Sequence, residues 1–522
     1  MPQRFAAKAL VRSALLMTGS TYLAYAVGLV INTLIARSLG PADYGRYAYM
    51  IWLSGILVLL MNNGLTISVI RFVSERVGHQ DRDGAAHLHG WFRRRQVTNA
   101  LGVGLGFLLL MPWLKPAGWD ATLSALALFA ALALFSALAK AWYLFGISTA
   151  KGYGLFGIEA ASMSWLSLGN LAAVGVLFAL GSDLVGYLAL FVLISIAHPL
   201  IAGMQLRRAG VHHDNARPDE DLLAKVRPHL MWTILSTLVW AFSNKAIETF
   251  LLNTLVGAEA VGFFTIAAAL TRGGVEMLSV GLTTVLMPSM ANAKGQGGMA
   301  RVLAITSDSA RYFHFLGTLL AGLGLFWAGP AIVFMYGENY KPAILLLQVM
   351  VIVKGVTLSH GALGSLLTTT DHQRIRVLEA GVSVGLSALF ALWLVPLYGL
   401  EGAITAHGIS TLLVWAFIVV AARRLLGLRL PIGPMLRMNL AGGLAAALAW
   451  AVASLADMGM LRSGVLAGFI FLVSYPVIAV LLRVFTQRDL DHLAHLGERR
   501  PVLRRIHKLL SPHVLREKTV TP

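Results

Sequence analysis

No cysteine occurs anywhere in the 522 residues, which excludes disulfides, thiolate metal sites and thiol catalysis. Charge is scarce too: Asp, Glu, Lys and Arg together make up 13% of the chain, and the acids are the rarer sign, 24 against 42 Lys and Arg. There is no G-x-x-x-x-G-K-[ST] phosphate loop, no G-x-S-x-G nucleophile turn and no H-E-x-x-H zinc helix, so hydrolysis by those routes is excluded. Asp81-Arg-Asp83 matches the D-x-D of metal-dependent glycosyltransferases, but no Rossmann-like strand pattern surrounds it. His79, His87 and His89 lack zinc-ligand spacing. A solvated loop is therefore expected over Arg76–Arg95. An enzyme would have to work by another route.

What fills the chain is apolar. Hydrophobic residues reach 57% and the mean hydropathy is +0.72, more than a soluble surface tolerates. About fourteen apolar segments are long enough to cross ~30 Å of hydrocarbon. They include Ala121–Ala139, Leu230–Leu255, Val261–Met287 and Pro342–Thr370. The runs are continuous and not alternating, which excludes a closed β-barrel. The net charge of +18 could suggest nucleic acid, but its placement decides otherwise. With the N-terminus inside, Arg93-Arg94-Arg95, Arg207-Arg208 and Arg423-Arg424 all fall on the cytoplasmic side, the positive-inside pattern of an inner membrane protein. An even number of crossings brings the C-terminus back to the cytoplasm.

An internal repeat organises these spans. Gly40-Pro-Ala-Asp-Tyr-Gly45 and Gly257-Ala-Glu-Ala-Val-Gly262 share a G-x-x-x-x-G spacing, and the offset between them also relates Gly64-Leu-Thr66 to Gly281-Leu-Thr283. The expected fold is an all-α polytopic membrane protein, two six-helix lobes related by that repeat plus two extra C-terminal helices. The expected division is an N-terminal lobe over 1–206, a cytoplasmic linker over 207–228 and a C-terminal lobe over 229–424. Extra spans follow over 425–483, then a basic cytoplasmic tail over 484–522. In the tail, Leu503, Ile506, Leu509 and Leu510 form an apolar stripe suited to a membrane surface.

The chemistry-bearing residues are the ionisable groups inside the spans, which are costly in lipid and functional by default. Lys245 with Glu248 and Arg272 with Glu276 sit mid-span at i,i+3 and i,i+4 spacing, so each pair can also be self-neutralised on one helix. Lys354 has no acid within four residues. Arg37 closes the first span, and Arg71 the second, where Glu75 lies one turn on. Candidate substrate-binding residues are Lys245, Arg272, Lys354, Arg37, Arg71, Asn32 and Asn244, with Trp240 and Asn253 as further glycan contacts. Candidate ion-coupling residues are Glu248, Glu276 and His360, with His407 behind them. No metal site and no cofactor is expected; coupling to H+ or Na+ stays open.

Leu34–Ala48, Val256–Phe264, Tyr336-Gly-Glu-Asn-Tyr-Lys-Pro-Ala343 and Pro396-Leu-Tyr-Gly-Leu-Glu-Gly-Ala403, in that order, resemble the polysaccharide transporters of the multidrug/oligosaccharidyl-lipid/polysaccharide exporter superfamily. The resemblance runs from about Leu10 to Arg424. It implies two six-helix lobes around a central cavity and, by position, a cavity arginine at Arg272. The implied activity is flipping of undecaprenyl-diphosphate-linked oligosaccharides (O-antigen, capsule or exopolysaccharide units, for lipopolysaccharide or exopolysaccharide synthesis) from the inner to the outer leaflet of the bacterial cytoplasmic membrane by alternating access. The implied partners are membrane lipids and the polymerase and glycosyltransferases of that pathway. Alternatives are a multidrug or other small-molecule antiporter of the same fold, and a membrane-embedded glycan polymerase.

Overall fold

A computed structural model describes residues 7–214, 216–243, 245–370, 372–456 and 458–485. They form fifteen α-helices, with no strand among the described residues. Lipid offers backbone N–H and C=O groups no partners, so an apolar chain must satisfy them within each segment. Ten of these helices are long and apolar enough to span a bilayer, eleven if one bent pair counts as a single span.

That number is below the fourteen expected because several spans run into one another. Helices α1 (Ala7–Asn62), α10 (Met277–Tyr336) and α13 (Gln373–Leu426) each contain one non-helical glycine, namely Gly40 with φ 72°, Gly298 with φ 65° and Gly399 with φ 54°. One helical arm ends at that glycine and the next begins with no loop between them. Only glycine takes such a φ without steric cost, and Pro41 then starts the second arm of α1 with its φ already set. The sequence signals for outer turns at Gly40 and Gly399 are therefore single-residue joints. In α1 and α13 both arms reach spanning length.

Two compact units make up the chain, Met1–Thr265 with Ser387–Ala403, and Ile266–Leu386 with Ile404–Pro522. The first holds α2 (Leu65–Gly78), α3 (Arg82–Leu114), α4 (Leu123–Gly152), α5 (Gly157–Ala179), α6 (Leu184–Arg208), α7 (Glu220–Ser243), α8 (Ala246–Leu251) and the start of α9 (Ala258–Thr271). Leu65, Val69, Phe72, Leu88, Phe92, Val226 and Leu230 form a core shared by α2, α3 and α7. The two repeated turns meet here. A Cβ on Gly45 would stand 1.7 Å from the Ala258 carbonyl oxygen, and one on Gly262 would stand 2.9 Å from the Pro41 carbonyl oxygen. The second glycine of each G-x-x-x-x-G thus serves close backbone approach, the small-residue packing that replaces hydrophobic drive in membranes.

The loop expected over Arg76–Arg95 is mostly helix. Asp81 caps α3, its Oδ1 accepting from the Gly84 amide at 2.8 Å, and its Oδ2 lies 3.2 Å from Arg76 Nη1. That capping role accounts for the D-x-D motif. The start of the linker docks on the same helix. The Asp214 amide donates to the Ala86 carbonyl at 3.1 Å, His87 Nε2 is 3.2 Å from Asp214 Oδ2, and Arg93 meets His213. Burial, then the Arg93 guanidinium, pushes the His213 imidazole below its ordinary value.

In the second unit, α10 and α11 (Ala343–Val356) cross on glycines. A Cβ on Gly317 would lie 2.0 Å from the Gly355 carbonyl oxygen, and the reverse distance is 2.3 Å. The two C-terminal helices, α14 (Ile432–Leu455) and α15 (Met460–Leu481), pack on α10. His314 Nε2 is 2.9 Å from Asn439 Oδ1, the Tyr475 hydroxyl donates to the Phe315 carbonyl at 3.1 Å, and Gly468 sits under Trp327. The basic tail and its Leu503–Leu510 stripe lie outside the described residues.

Gly45→Val should lower the unfolding midpoint of the purified protein, at a cost of about 2–3 kcal/mol, because the Ala258 backbone cannot give way. Gly55→Ala, with nothing within 4 Å of the new methyl, should be neutral or stabilising by up to about 1 kcal/mol. Thermal size-exclusion profiles compare them, and equal midpoints would count against the Gly45–Ala258 crossing as a packing determinant.

Candidate functional site

The seventh expected span, Leu230–Leu255, is not one helix. α7 ends at Ser243, Lys245 takes the left-handed backbone with φ 59°, and α8 begins at Ala246. Leu252–Val256 is then wound as a π turn before Gly257, φ 134°, closes the segment. A non-glycine residue in this region costs of order 1 kcal/mol, and such strain concentrates where the surrounding structure holds it for a purpose. Glu248, on the first turn of α8, is fully buried at 0% exposure. Lys245 thus stands at the joint itself, as the residue that caps α8, with Glu248 three residues on. Asn244 lies outside the described residues, as does the side chain of Trp240.

A second π turn occupies Arg272–Glu276 between α9 and α10. Its sequence signal is the pair Gly273-Gly274, which loosens the helix. A π turn holds more residues per turn than an α-helix, so Arg272 and Glu276 are not the α-helical i,i+4 pair expected. Glu276 is claimed from elsewhere: its Oε1 lies 3.3 Å from Lys354 Nζ, with both side chains about a third exposed or less. The acid missing from the sequence neighbourhood of Lys354 is therefore supplied across helices. Arg272 is exposed and has no ion-pair partner among the described residues.

Lys354 sits in the last turn of α11, where the helix dipole favours a cation. The expected tenth span breaks just beyond it: α11 and α12 (His360–Thr369) are bent by 44° across Thr357–Ser359. At the start of α12, His360 Nε2 is 2.5 Å from Glu379 Oε1, and Arg376 Nη1 donates to Glu379 Oε2 at 2.7 Å. Glu379 itself is buried. At the break itself the Trp415 indole donates to the Ser359 hydroxyl at 3.0 Å. This unit therefore carries two linked charge sets at one discontinuous helix: Lys354 with Glu276, and Glu379 between Arg376 and His360. Arg272 adds positive charge.

Several other expected residues take different places. Arg71 does not pair with Glu75; its Nη1 donates to His229 Nδ1 at 2.9 Å and its guanidinium lies 5.2 Å from the Phe72 ring. Asn253 is committed to structure, since it accepts from the Ala117 amide at 2.8 Å and donates to the Lys115 carbonyl at 3.0 Å. It thus pins a loop that Arg46 also holds, through the Ala117 carbonyl at 3.1 Å. Arg37 is exposed at the end of the first arm of α1, Asn32 is half-buried on that arm, and His407 is buried in α13. One residue was missed altogether. The fourth span was expected to stop at Ala139, but α4 continues to Gly152, which puts Lys140 in its interior. The signal was the apolar stretch after Lys140, from Ala141 to Ile147.

The chain matches the family described as polysaccharide biosynthesis protein over residues 10–294. No curated protein matches it in sequence. Among solved structures, the lipid II flippase MurJ in an inward closed conformation is similar with a TM-score of 0.69 at 12% identity, covering 89% of this chain and 98% of that one. An inward-facing multidrug resistance MATE family transporter of the MOP superfamily gives 0.65 at 14% identity, over 77% of this chain and 94% of that one. A MOP superfamily transporter from Pyrococcus furiosus gives 0.54 at 16% identity, over 80% and 96%. At these identities the likeness is one of fold. With its multi-pass helical architecture and a family match over more than half its length, this chain belongs to the polysaccharide biosynthesis protein family.

Proposed function

We propose that the chain flips undecaprenyl-diphosphate-linked oligosaccharide units from the inner to the outer leaflet of the bacterial cytoplasmic membrane by alternating access, with both termini cytoplasmic. The observation that carries the reading is Arg272. It lies well inside the apolar helical stretch Ala258–Thr283, exposed from the protein and without an acid partner among the described residues. A guanidinium cannot rest in hydrocarbon at that depth, so its face must meet water or an anion. A diphosphate headgroup is such an anion, and Arg can grip it through two parallel hydrogen bonds while the lipid tail stays in the bilayer. The family match supports a glycan pathway, and hence a polymerase and glycosyltransferases as partners. Exporters of cationic drugs would work against the same charge.

Coupling would pass through the acids and the histidine at the broken helices. Glu276 and His360 each hold a charged or protonatable partner across helices, and Glu248 is buried beside the α7–α8 break. Either H+ or Na+ could be the driving ion for such carboxylates.

Arg272→Ala should cut flipping by about 10- to 100-fold, the loss expected for a charge-assisted hydrogen bond. A leaflet-resolved glycolipid assay in a deletion strain reads it: single repeat units should accumulate facing the cytoplasm. Units exposed on the outer face would instead indicate a polymerase, and wild-type export in Arg272→Ala would remove this residue from the cargo path.

Lys354→Met removes the cation 3.3 Å from Glu276 and should destabilise the protein by about 2 kcal/mol, less than for a fully buried pair because both groups are partly exposed. Glu276→Gln combined with Lys354→Met should recover about 1 kcal/mol of that loss. Thermal unfolding of the four forms closes the cycle, and strict additivity would show that the 3.3 Å contact is energetically idle.

A further inference from the structure

Lys140 is a basic side chain in the interior of a membrane helix, and among the described residues no carboxylate lies within ion-pair distance of it. It shares its surroundings with His198, and its Nζ stands 3.8 Å from the centre of the Phe191 ring. A desolvated cation–π contact contributes about 2 kcal/mol, whereas withdrawing an ammonium from water costs several. The contact does not close that gap. A proton held on that amine therefore needs a further partner.

The surroundings show what. Lys140 lines a cavity of about 240 Å³ inside the first unit, between both arms of α1 and helices α4, α5 and α6. Tyr47, Asn170, Tyr187, Ser195 and His198 supply its polar lining, and no acid is among the lining residues. Tyr187 is 1% exposed and its hydroxyl is buried without a hydrogen-bond partner, an expensive state for a donor that has nothing to bind. Ser195 already donates to the Phe191 carbonyl at 2.6 Å, and His198 Nδ1 donates to the Ile194 carbonyl at 2.7 Å. His198 Nε2 is then left as an acceptor, while Lys140, the Asn170 amide and the tyrosine hydroxyls all have N–H or O–H groups to donate. Taking ~30 Å³ per water, the space equals about eight waters, larger than one halide ion needs and sufficient for a phosphoryl group with some hydration.

We propose that this cavity is an anion site that takes a phosphate-class oxyanion, with Lys140 as counter-charge and Tyr187 and Asn170 as orienting donors. The site is built wholly from residues of the first unit, whereas Arg272 and the broken helix α11–α12 belong to the second. It does not depend on what the chain transports, because an inorganic phosphate and a lipid diphosphate present the same oxygens.

The test uses the purified full-length protein in detergent micelles, its unfolding midpoint followed against inorganic pyrophosphate at constant ionic strength. Wild type should show a saturable rise in the midpoint. Lys140→Met should weaken the apparent affinity by about tenfold or more, Lys140→Arg should retain most of it, and Tyr187→Phe should weaken it by about three- to tenfold. A second arm replaces pyrophosphate by a polyprenyl diphosphate in the same micelles. A Lys140-dependent rise in that arm as well assigns the site to a lipid headgroup, and a rise with pyrophosphate alone assigns it to a soluble ion. No saturable rise in either arm, a rise reproduced by sodium chloride, or a rise undiminished in Lys140→Met would overturn the proposal. Should Lys140→Met fail to fold, the Tyr187→Phe shift decides in its place.

Discussion

Hydrocarbon tolerates neither an unbonded backbone group nor an unpaired charge, and nearly every feature of this protein answers that constraint. The chain avoids irregular loops by turning on single glycines, at Gly40 and Gly399. Where helices must touch, it removes side chains, so that Gly45 meets the Ala258 carbonyl and Gly317 meets that of Gly355. Where helices break, at Lys245 and across Thr357–Ser359, charged or hydroxyl-bearing residues stand at the break. These are the positions where a spanning helix ceases to be self-sufficient, and they are also where solvated ligands have a reason to enter.

Much of the architecture was legible because apolar run length is a strong signal. The helical class, the repeat and the glycine turns follow from residues that can do little else. The repeat landmarks gained a physical meaning that spacing alone did not convey: the first glycine of each motif bends the chain, and the second lets the two copies lie backbone to backbone. The span ends were less legible. Lys140 was placed outside the membrane because a charge looks like a boundary, whereas α4 carries it inward beside Phe191.

Charge pairing was the least legible level. Sequence distance suggested Arg272 with Glu276 and Arg71 with Glu75, since a regular helix brings such pairs together. The backbone is irregular at the first, and Arg71 found His229 on another helix. Lys354, which had no sequence neighbour to pair with, has Glu276. Asn253 shows the same lesson for polar groups: a buried amide with both ends satisfied by one loop has a fastening role that its sequence neighbours do not announce. Pairings of this kind depend on helix crossings, which no local pattern encodes.

The π turn at Arg272–Glu276 has a further geometric meaning. Five residues in a π turn wind and rise about as much as four in an α-helix, ~400° and ~6 Å, so the turn takes up one surplus peptide unit while the long helix that follows keeps its phase. The surplus widens the turn locally, and that is what sets Arg272 and Glu276 off the relation a regular helix would give them. The turn thus isolates the register of α10 from the extra residue.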